Sequence, residues 1–182
     1  MSREGHEQPT HVEIGIAKPE DAEGIVTVKR ASWIDTYPDE AQGITKEAIV
    51  NWVEKKPFEQ DVLAWKESIE EAHADQQTFV AKENGRIVGF CRSLKKDGMN
   101  EINALYVAPA ETGKGVGSAL VEKSFEWFGD DKPVELWVAS HNAKAIAFYE
   151  GKGFVQAEGT KEHDLGDGMK MTNVRMTRLA RT

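Results

Sequence analysis

The sequence predicts an α/β chain: a central, mostly antiparallel mixed sheet with helices on both faces. Three observations carry this expectation. Strand-like alternation and helical periodicity follow one another in the order β-α-α-(α)-β-β-β-α-β-α-β-β. Asn84-Gly85 separates two strand-like runs, the strongest short hairpin signal a sequence offers. The apolar run Leu105-Tyr106-Val107-Ala108-Pro109 leads through a glycine-dense turn, Gly113-Lys114-Gly115-Val116-Gly117-Ser118, into an amphipathic helix.

In chain order, Met1–Thr10 is polar and is expected to be a disordered tail, with residues 11–182 forming a single domain. Val12, Ile14 and Ile16 alternate with polar neighbours and predict a first strand. Pro19-Glu20-Asp21 starts a helix whose apolar face continues through Ile25, Val28 and Trp33 toward Tyr37. Thr45 opens a second helix with Ile49, Trp52 and Val53 on one side. Pro57 interrupts it, and a third helical stretch runs through Val62, Trp65 and Ile69 to about Ala74. Strands at Thr78–Ala81, Arg86–Cys91 and Glu101–Val107 form an antiparallel meander, the last turning at Asp97-Gly98. A helix over Val116–Phe128, a buried strand over Pro133–Val138 and a helix from Asn142 to Lys152 follow. Strands at Phe154–Glu158 and Lys170–Arg178 then flank a polar segment, Gly159–Gly168.

Composition narrows the function classes. The 182 residues suit one well-cored domain. A net charge of −8 argues against general nucleic-acid binding and mildly favours cationic substrates such as amines. No run approaches the roughly 20 apolar residues of a membrane span, and the first ten residues lack a signal peptide's apolar stretch. The single cysteine, Cys91, excludes an intramolecular disulfide framework and lies in an apolar strand, as a packed core thiol would. A cytoplasmic location is expected. His6, His11, His73 and His141 are scattered without metal-ligand spacing, so no metal is expected.

The glycine-dense turn is the most informative feature. A strand, a turn whose glycines alternate, and a helix start together aim backbone N–H groups and the positive end of a helix dipole at one point. That is a place to hold a phosphate. The spacing does not fit a Walker loop, because Lys114 is followed by Gly115 where Ser or Thr is required. The dinucleotide fingerprint begins at Gly113 and Gly115, but Ser118 replaces its last glycine, and Glu135 is its one acidic candidate.

A third pattern, Arg/Gln-x-x-Gly-x-Gly/Ala between strand and helix, is matched by Gly115 and Gly117, with Thr112 where Arg or Gln is usual. Downstream, an Asn at a helix start (Asn142), then Phe148-Tyr149, then Gly153-Phe154 form a second hallmark. On these two hallmarks the chain resembles the GNAT superfamily of acetyl-CoA-dependent N-acetyltransferases. The resemblance spans residues 12–179, and 100–154 carry nearly all its specificity. It implies the GNAT acyl-CoA N-acyltransferase fold, with acetyl-CoA as co-substrate and a small-molecule amine or peptide as acceptor. It leaves a homodimer open.

The resemblance also implies site residues. Thr112 through Ser118, including Val116, would cradle the pyrophosphate, Lys114 adding charge or standing solvated. Backbone N–H groups near Leu105, Tyr106 and Val107 would meet the thioester oxygen. Asn142 would both cap its helix and contact the cofactor arm, beside Phe148. Amine acetylation needs a deprotonated amine, and a lysine-like amine of pKa ~10.4 is neutral only about once in a few thousand molecules at pH 7. Glu101 is the candidate base, on the assumption that Glu101, Asn103, Leu105 and Val107 share one strand face; a bulge would reverse that facing. A solvated strand-end carboxylate is the alternative. Tyr149 is the candidate acid for the departing thiolate, or else an amphipathic ring closing the core. Ser32-Trp33-Ile34-Asp35-Thr36-Tyr37 is similar to a stretch in small-amine and polyamine acetyltransferases. Trp33, Tyr37, Asn103 and His163 are therefore acceptor-site candidates, with core packing the alternative for Trp33 and an ordinary loop position for His163. The rival to an enzyme is a non-catalytic acyl-CoA-binding module of the same fold.

Overall fold

The computed structural model describes residues 12–71 and 73–180; the expected tail, Met1–Thr10, lies outside them. Seven strands form one sheet in the order β1-β2-β3-β4-β5-β7-β6. They are β1 (Val12–Ile16), β2 (Gln76–Glu83), β3 (Arg86–Leu94), β4 (Asn100–Val107), β5 (Val134–Ala139), β6 (Val155–Gly166) and β7 (Met169–Arg178). Every neighbouring pair is antiparallel except β4 with β5. The helices are α1 (Ala22–Thr36), α2 (Lys46–Glu54), α3 (Phe58–Glu70), α4 (Val116–Phe128) and α5 (Ala143–Gly151).

Two layers of side chains bracket the sheet. On one face, α4 and α5 seal a core of Val116, Leu120, Val121 and Tyr149 over Phe79, Cys91, Ile102, Leu136 and Met176. On the other, Ile25 and Val28 of α1 pack on Val80, Ile87 and Phe90, and Trp33 joins Ile44, Ile49, Val53 and Met171. Local chemistry sets several boundaries. Asn84 and Gly85 both take positive φ, as a two-residue hairpin requires. Thr45 caps α2 by accepting from the Ala48 N–H at 3.1 Å. Gly89 lets α4 lie close on β3: a Cβ there would stand 3.0 Å from Val116 Cγ1 and 3.1 Å from Leu120 Cδ1.

Three expectations are corrected. The third helix ends at Glu70 rather than near Ala74. The segment Gly159–Gly168, expected to be a polar connection, is mostly strand: β6 runs to Gly166 and pairs with β7 along its length. It is an edge strand, so its alternation need not be apolar, and its charged residues hide it from a periodicity argument. The third correction concerns β4. Arg92 pairs with Ala104 but Ser93 pairs with Ile102, so Asn103 is an extra, bulged residue. Ile102 therefore faces α4, as do Leu105 and Val107, while Ala104 and Tyr106 face α1. Glu101 consequently lies on the α1 face, opposite to Leu105 and Val107 rather than beside them.

Candidate active site

The site is built where β4 and β5 part. They pair at only three positions, Asn100↔Val134, Glu101↔Glu135 and Ile102↔Leu136. Beyond these, β4 continues to Val107 and β5 to Ala139 without pairing to each other. The Ala108 N–H donates to Val88 O on β3 at 2.8 Å. Successive amides of a strand point to alternate sides, so the Leu105 and Val107 amides are turned away from β3, into the gap. Ser32 of α1 donates to Val107 O at 2.8 Å and fixes that end of the strand.

The α4 N-terminus opens beside the gap. Gly115 caps it with φ 87°, following Gly113 at φ 80°. No side chain caps the helix, and the first main-chain bond of its turn is Ala119 N–H to Gly115 O at 3.0 Å. The N–H groups of Val116, Gly117 and Ser118 have no acceptor within the helix and point outward. A Cβ at Gly113 or Gly115 would meet nothing within 4 Å, so the cradle has room for a bulky anion. Gly117 packs toward Phe148 and Val107, its notional Cβ 3.6 Å from each. The loop side chains are otherwise engaged. Thr112 Oγ1 donates to Pro109 O at 2.8 Å, and Lys114 Nζ donates to the buried Glu111 at 3.0 Å. The positive character offered to an anion therefore comes chiefly from amides.

Tyr149 lies on the α4 side, its ring 5.7 Å from Phe154 and 5.2 Å from Phe148. Burial, reinforced by Cys91 and Tyr106, pushes its hydroxyl far above the ordinary phenol range, so it holds its proton at neutral pH. Asn142 caps α5, its Oδ1 accepting from the Ala145 N–H at 3.1 Å. Glu101 is buried at the foot of the gap; Lys96 Nζ bonds its Oε2 and Asn103 Nδ2 its Oε1. Cys91 is fully buried against Ser124 and Ser93, and desolvation raises its thiol to about 11.

On the α1 side an aromatic wall borders the same gap. Trp33 stacks on Trp52 at 4.2 Å, meets Tyr37 edge-on at 4.5 Å, and donates from Nε1 to the Tyr106 hydroxyl at 2.9 Å. His163 projects from β6, not from a loop, and stands 5.0 Å from Trp52 and 5.5 Å from Trp33. Burial lowers its pKa, with Asp164 opposing the shift. Trp33 is thus both core and wall, while Tyr37 and His163 are partly buried. A separate groove of about 570 Å³ lies between the C-terminal parts of α4 and α5, remote from the α4 N-terminus and from this gap.

The model of the GNAT acetyltransferase family matches residues 39–154, most of the chain and all of the strand-turn-helix cradle. The chain belongs to the GNAT acetyltransferase family. An uncharacterized N-acetyltransferase of Methanocaldococcus jannaschii is 37% identical over 92 residues, which are 46% of this chain and 41% of that one. The mycothiol acetyltransferase of Kineococcus radiotolerans is 35% identical over 72 residues, 39% of this chain and 24% of the relative. The chain thus spans well under two thirds of the length of these curated relatives. In fold, it superposes on PaiA N-acetyltransferase from Thermoplasma acidophilum, solved with coenzyme A. The TM-score is 0.68 at 24% identity, covering 93% of this chain and 99% of that one. For the ribosomal-protein-S18-alanine N-acetyltransferase of Escherichia coli the TM-score is 0.66 at 16% identity, covering 94% and 96%.

Within this GNAT chain, sequence reasoning missed several residues that the fold brings to the site. Lys96 reaches Glu101 from the β3–β4 connection. Asp39 and His141 flank Tyr37, Asp39 Oδ2 lying 4.0 Å from His141 Nδ1. Trp137 stands on the α1 face of β5 between core residues Leu136 and Val138. Only Trp137 left a signal, an aromatic at the polar-phase position of an alternating strand.

Among the described residues, no helix is long and apolar enough to cross a membrane, and no His, Cys, Asp or Glu group is arranged to hold a metal.

Proposed function

We propose that this protein transfers an acetyl group from acetyl-CoA directly to a primary amine of a small molecule or peptide, with no covalent enzyme intermediate. The observation that carries this reading is the parting of β4 from β5 beside the uncapped α4 N-terminus. Bound there, acetyl-CoA supplies a thioester carbon open to attack by an amine. The Val116, Gly117 and Ser118 amides hold the pyrophosphate, with Gly113 and Gly115 keeping Cβ atoms out of its way. Thr112 and Lys114 shape the loop, and Asn142 and Phe148 flank the cofactor arm from α5.

The Leu105 and Val107 amides donate to the carbonyl oxygen as negative charge develops on it; each such donor contributes about 3 kcal/mol to the transition state. The Tyr106 side chain supports the acceptor wall. Glu101, on the acceptor face because of the Asn103 bulge, takes the proton of the incoming ammonium directly or through water. Tyr149, protonated at neutral pH, passes its proton to the leaving thiolate from the opposite face and regains one from solvent as the products leave. The wall of Trp33, Tyr37 and His163 positions the acceptor. Residues 11–182 act as one domain, and the buried, unpaired thiol fits a cytoplasmic setting.

A second reading, an acyl-CoA-binding module without turnover, is favoured by one observation: Lys96 already neutralises Glu101. Calorimetric titration with acetyl-CoA followed by free-thiol detection over an amine panel separates the two. Acceptor-dependent thiol release is the expected result. Tight acetyl-CoA binding with no release from any amine would leave the module.

A further inference from the structure

Of seven buried side-chain polar atoms without partners among the described residues, four lie on one side of the parted strands, the others being Arg30 Nε, Arg92 Nε and Asn100 Nδ2. Among the described residues, Trp137 Nε1, His163 Nε2 and both ring nitrogens of His141 are sealed from solvent without a hydrogen bond. Leaving such a group unpaired costs more than a hydrogen bond returns, and folded proteins hold few of them. These belong to β5, β6 and the β5–α5 connection, on the face that carries Glu101 and the aromatic wall. Trp137 is the first β5 residue past the last β4–β5 pair, Ile102↔Leu136. Its indole N–H can only donate, so what completes it is a hydrogen-bond acceptor, a role that a carboxylate or carbonyl oxygen fills and an ammonium cannot.

The surrounding charge agrees. Lys161 Nζ lies 3.9 Å over the Trp137 ring, and Arg175 is Trp137's cross-strand partner on β7. Arg175 Nε is committed to Glu135 at 2.9 Å, whereas Lys161 is exposed and makes no hydrogen bond among the described residues. At the other end stands the Glu101 carboxylate, level with Glu135, two residues before Trp137. Two strand residues span about 7 Å, the scale on which one small molecule carries both an amine and an oxygen acceptor.

We propose that Trp137, assisted by Lys161, recognises an oxygen of the acceptor, and that the acceptor is an amine bearing a carboxylate or amide carbonyl rather than a polyamine. The free amino acid and the peptide N-terminus share this chemistry. The inference deepens the acetyl-transfer reading and rests on it for the acceptor's place in the gap.

The test uses ¹⁵N-indole-labelled protein, in which Trp137→Phe assigns one of five indole resonances by its disappearance. The twenty amino acids, a set of Xaa-Gly dipeptides, and spermidine with putrescine form three titration arms. The Trp137 indole proton is expected to move downfield with members of the first or second arm and not with the third; the arm that moves it names the source. In turnover, Trp137→Phe keeps an aromatic ring, smaller than the indole, but removes the donor. It should raise KM for those acceptors about tenfold or more, the loss expected for a buried hydrogen bond to a carboxylate, with KM for acetyl-CoA unchanged. Lys161→Met, on the exposed edge strand, should repeat the effect in smaller measure and guards against misfolding of the Phe variant. A resonance that moves only with polyamines, or with no arm, overturns the proposal. A resonance that moves while no amine releases thiol would sink acetyl transfer and leave the oxygen subsite standing.

Discussion

Replacing Gly89 by Ala tests how the proposed cofactor cradle at the α4 N-terminus is positioned. The added Cβ would lie 3.0 Å from Val116 Cγ1, 3.1 Å from Leu120 Cδ1 and 3.1 Å from the main-chain oxygen of Tyr106. Val116 and Leu120 belong to the first turns of α4, so relief of the overlap lifts the very end that presents the Val116–Ser118 amides. Overpacking of this kind costs about 1–3 kcal/mol. Loss of glycine's freedom in the unfolded chain offsets about 0.4–1 of that. A net loss of about 1–2 kcal/mol lowers Tm by roughly 2–8 °C in a chain of this size. Acetyl-CoA affinity should fall about threefold to tenfold, equivalent to weakening one charge-assisted hydrogen bond. Gly24→Ala is the matched control, because its Cβ would strike Ile87 Cγ1 at 2.5 Å on the α1 face. It should destabilise at least as much without changing acetyl-CoA affinity. Thermal melts and isothermal titration of both variants decide the matter. A Gly89→Ala protein that melts early yet binds acetyl-CoA like the parent refutes the argument, as does a Gly24→Ala protein that binds equally poorly.

Further outcomes are expected at the site and in the core. Tyr149→Phe should lower kcat while leaving acetyl-CoA affinity near its parent value; unchanged turnover in steady-state kinetics removes Tyr149 from the acid role. Glu101→Gln should lose most rate at low pH, where free amine is scarcest, and a ratio to the parent that is flat across pH counts against the base. His163 has a folded pKa lowered by burial, so as pH falls below about 6.5 the unfolded chain takes up the proton first. Its stability contribution is complete above that pH and is lost as pH falls toward the folded value. Melts from pH 7 to 5 should therefore decline less steeply in His163→Gln than in the parent. The Cys91 thiol, raised to about 11 and fully buried, should resist alkylation in native protein and react on unfolding, as mass spectrometry would read.

Much of the fold was legible because its signals are local. The Asn84-Gly85 turn, the Thr45 and Asn142 caps, and the boundaries of α4 all follow from residues within a few positions of one another. The strand–turn–helix geometry around Gly113–Gly117 was legible for the same reason, since strand, glycines and helix start are contiguous. What escaped depends on pairing across the chain. The Asn103 bulge exists only as a mismatch between β3 and β4, so nothing in Asn100–Val107 alone discloses that Glu101 and Leu105 face opposite ways. The length of β6 is set by β7, which supplies its hydrogen bonds, rather than by its own polar composition. Lys96, Asp39 and His141 reach the gap through tertiary approach, which spacing does not encode.

The outer margin of the sheet at β6 bears on how copies of this protein can meet. That strand is broken by register irregularities at Ala157/Thr160 and Asp164/Gly166, and Glu158, Lys161, Glu162 and Asp164 stand exposed along it. A second molecule adding a strand there would meet a kinked ribbon of mixed charge instead of a continuous row of amides. The opposite margin, β1, offers five residues among those described. Self-association by adding a strand from a second copy is therefore discouraged along β6.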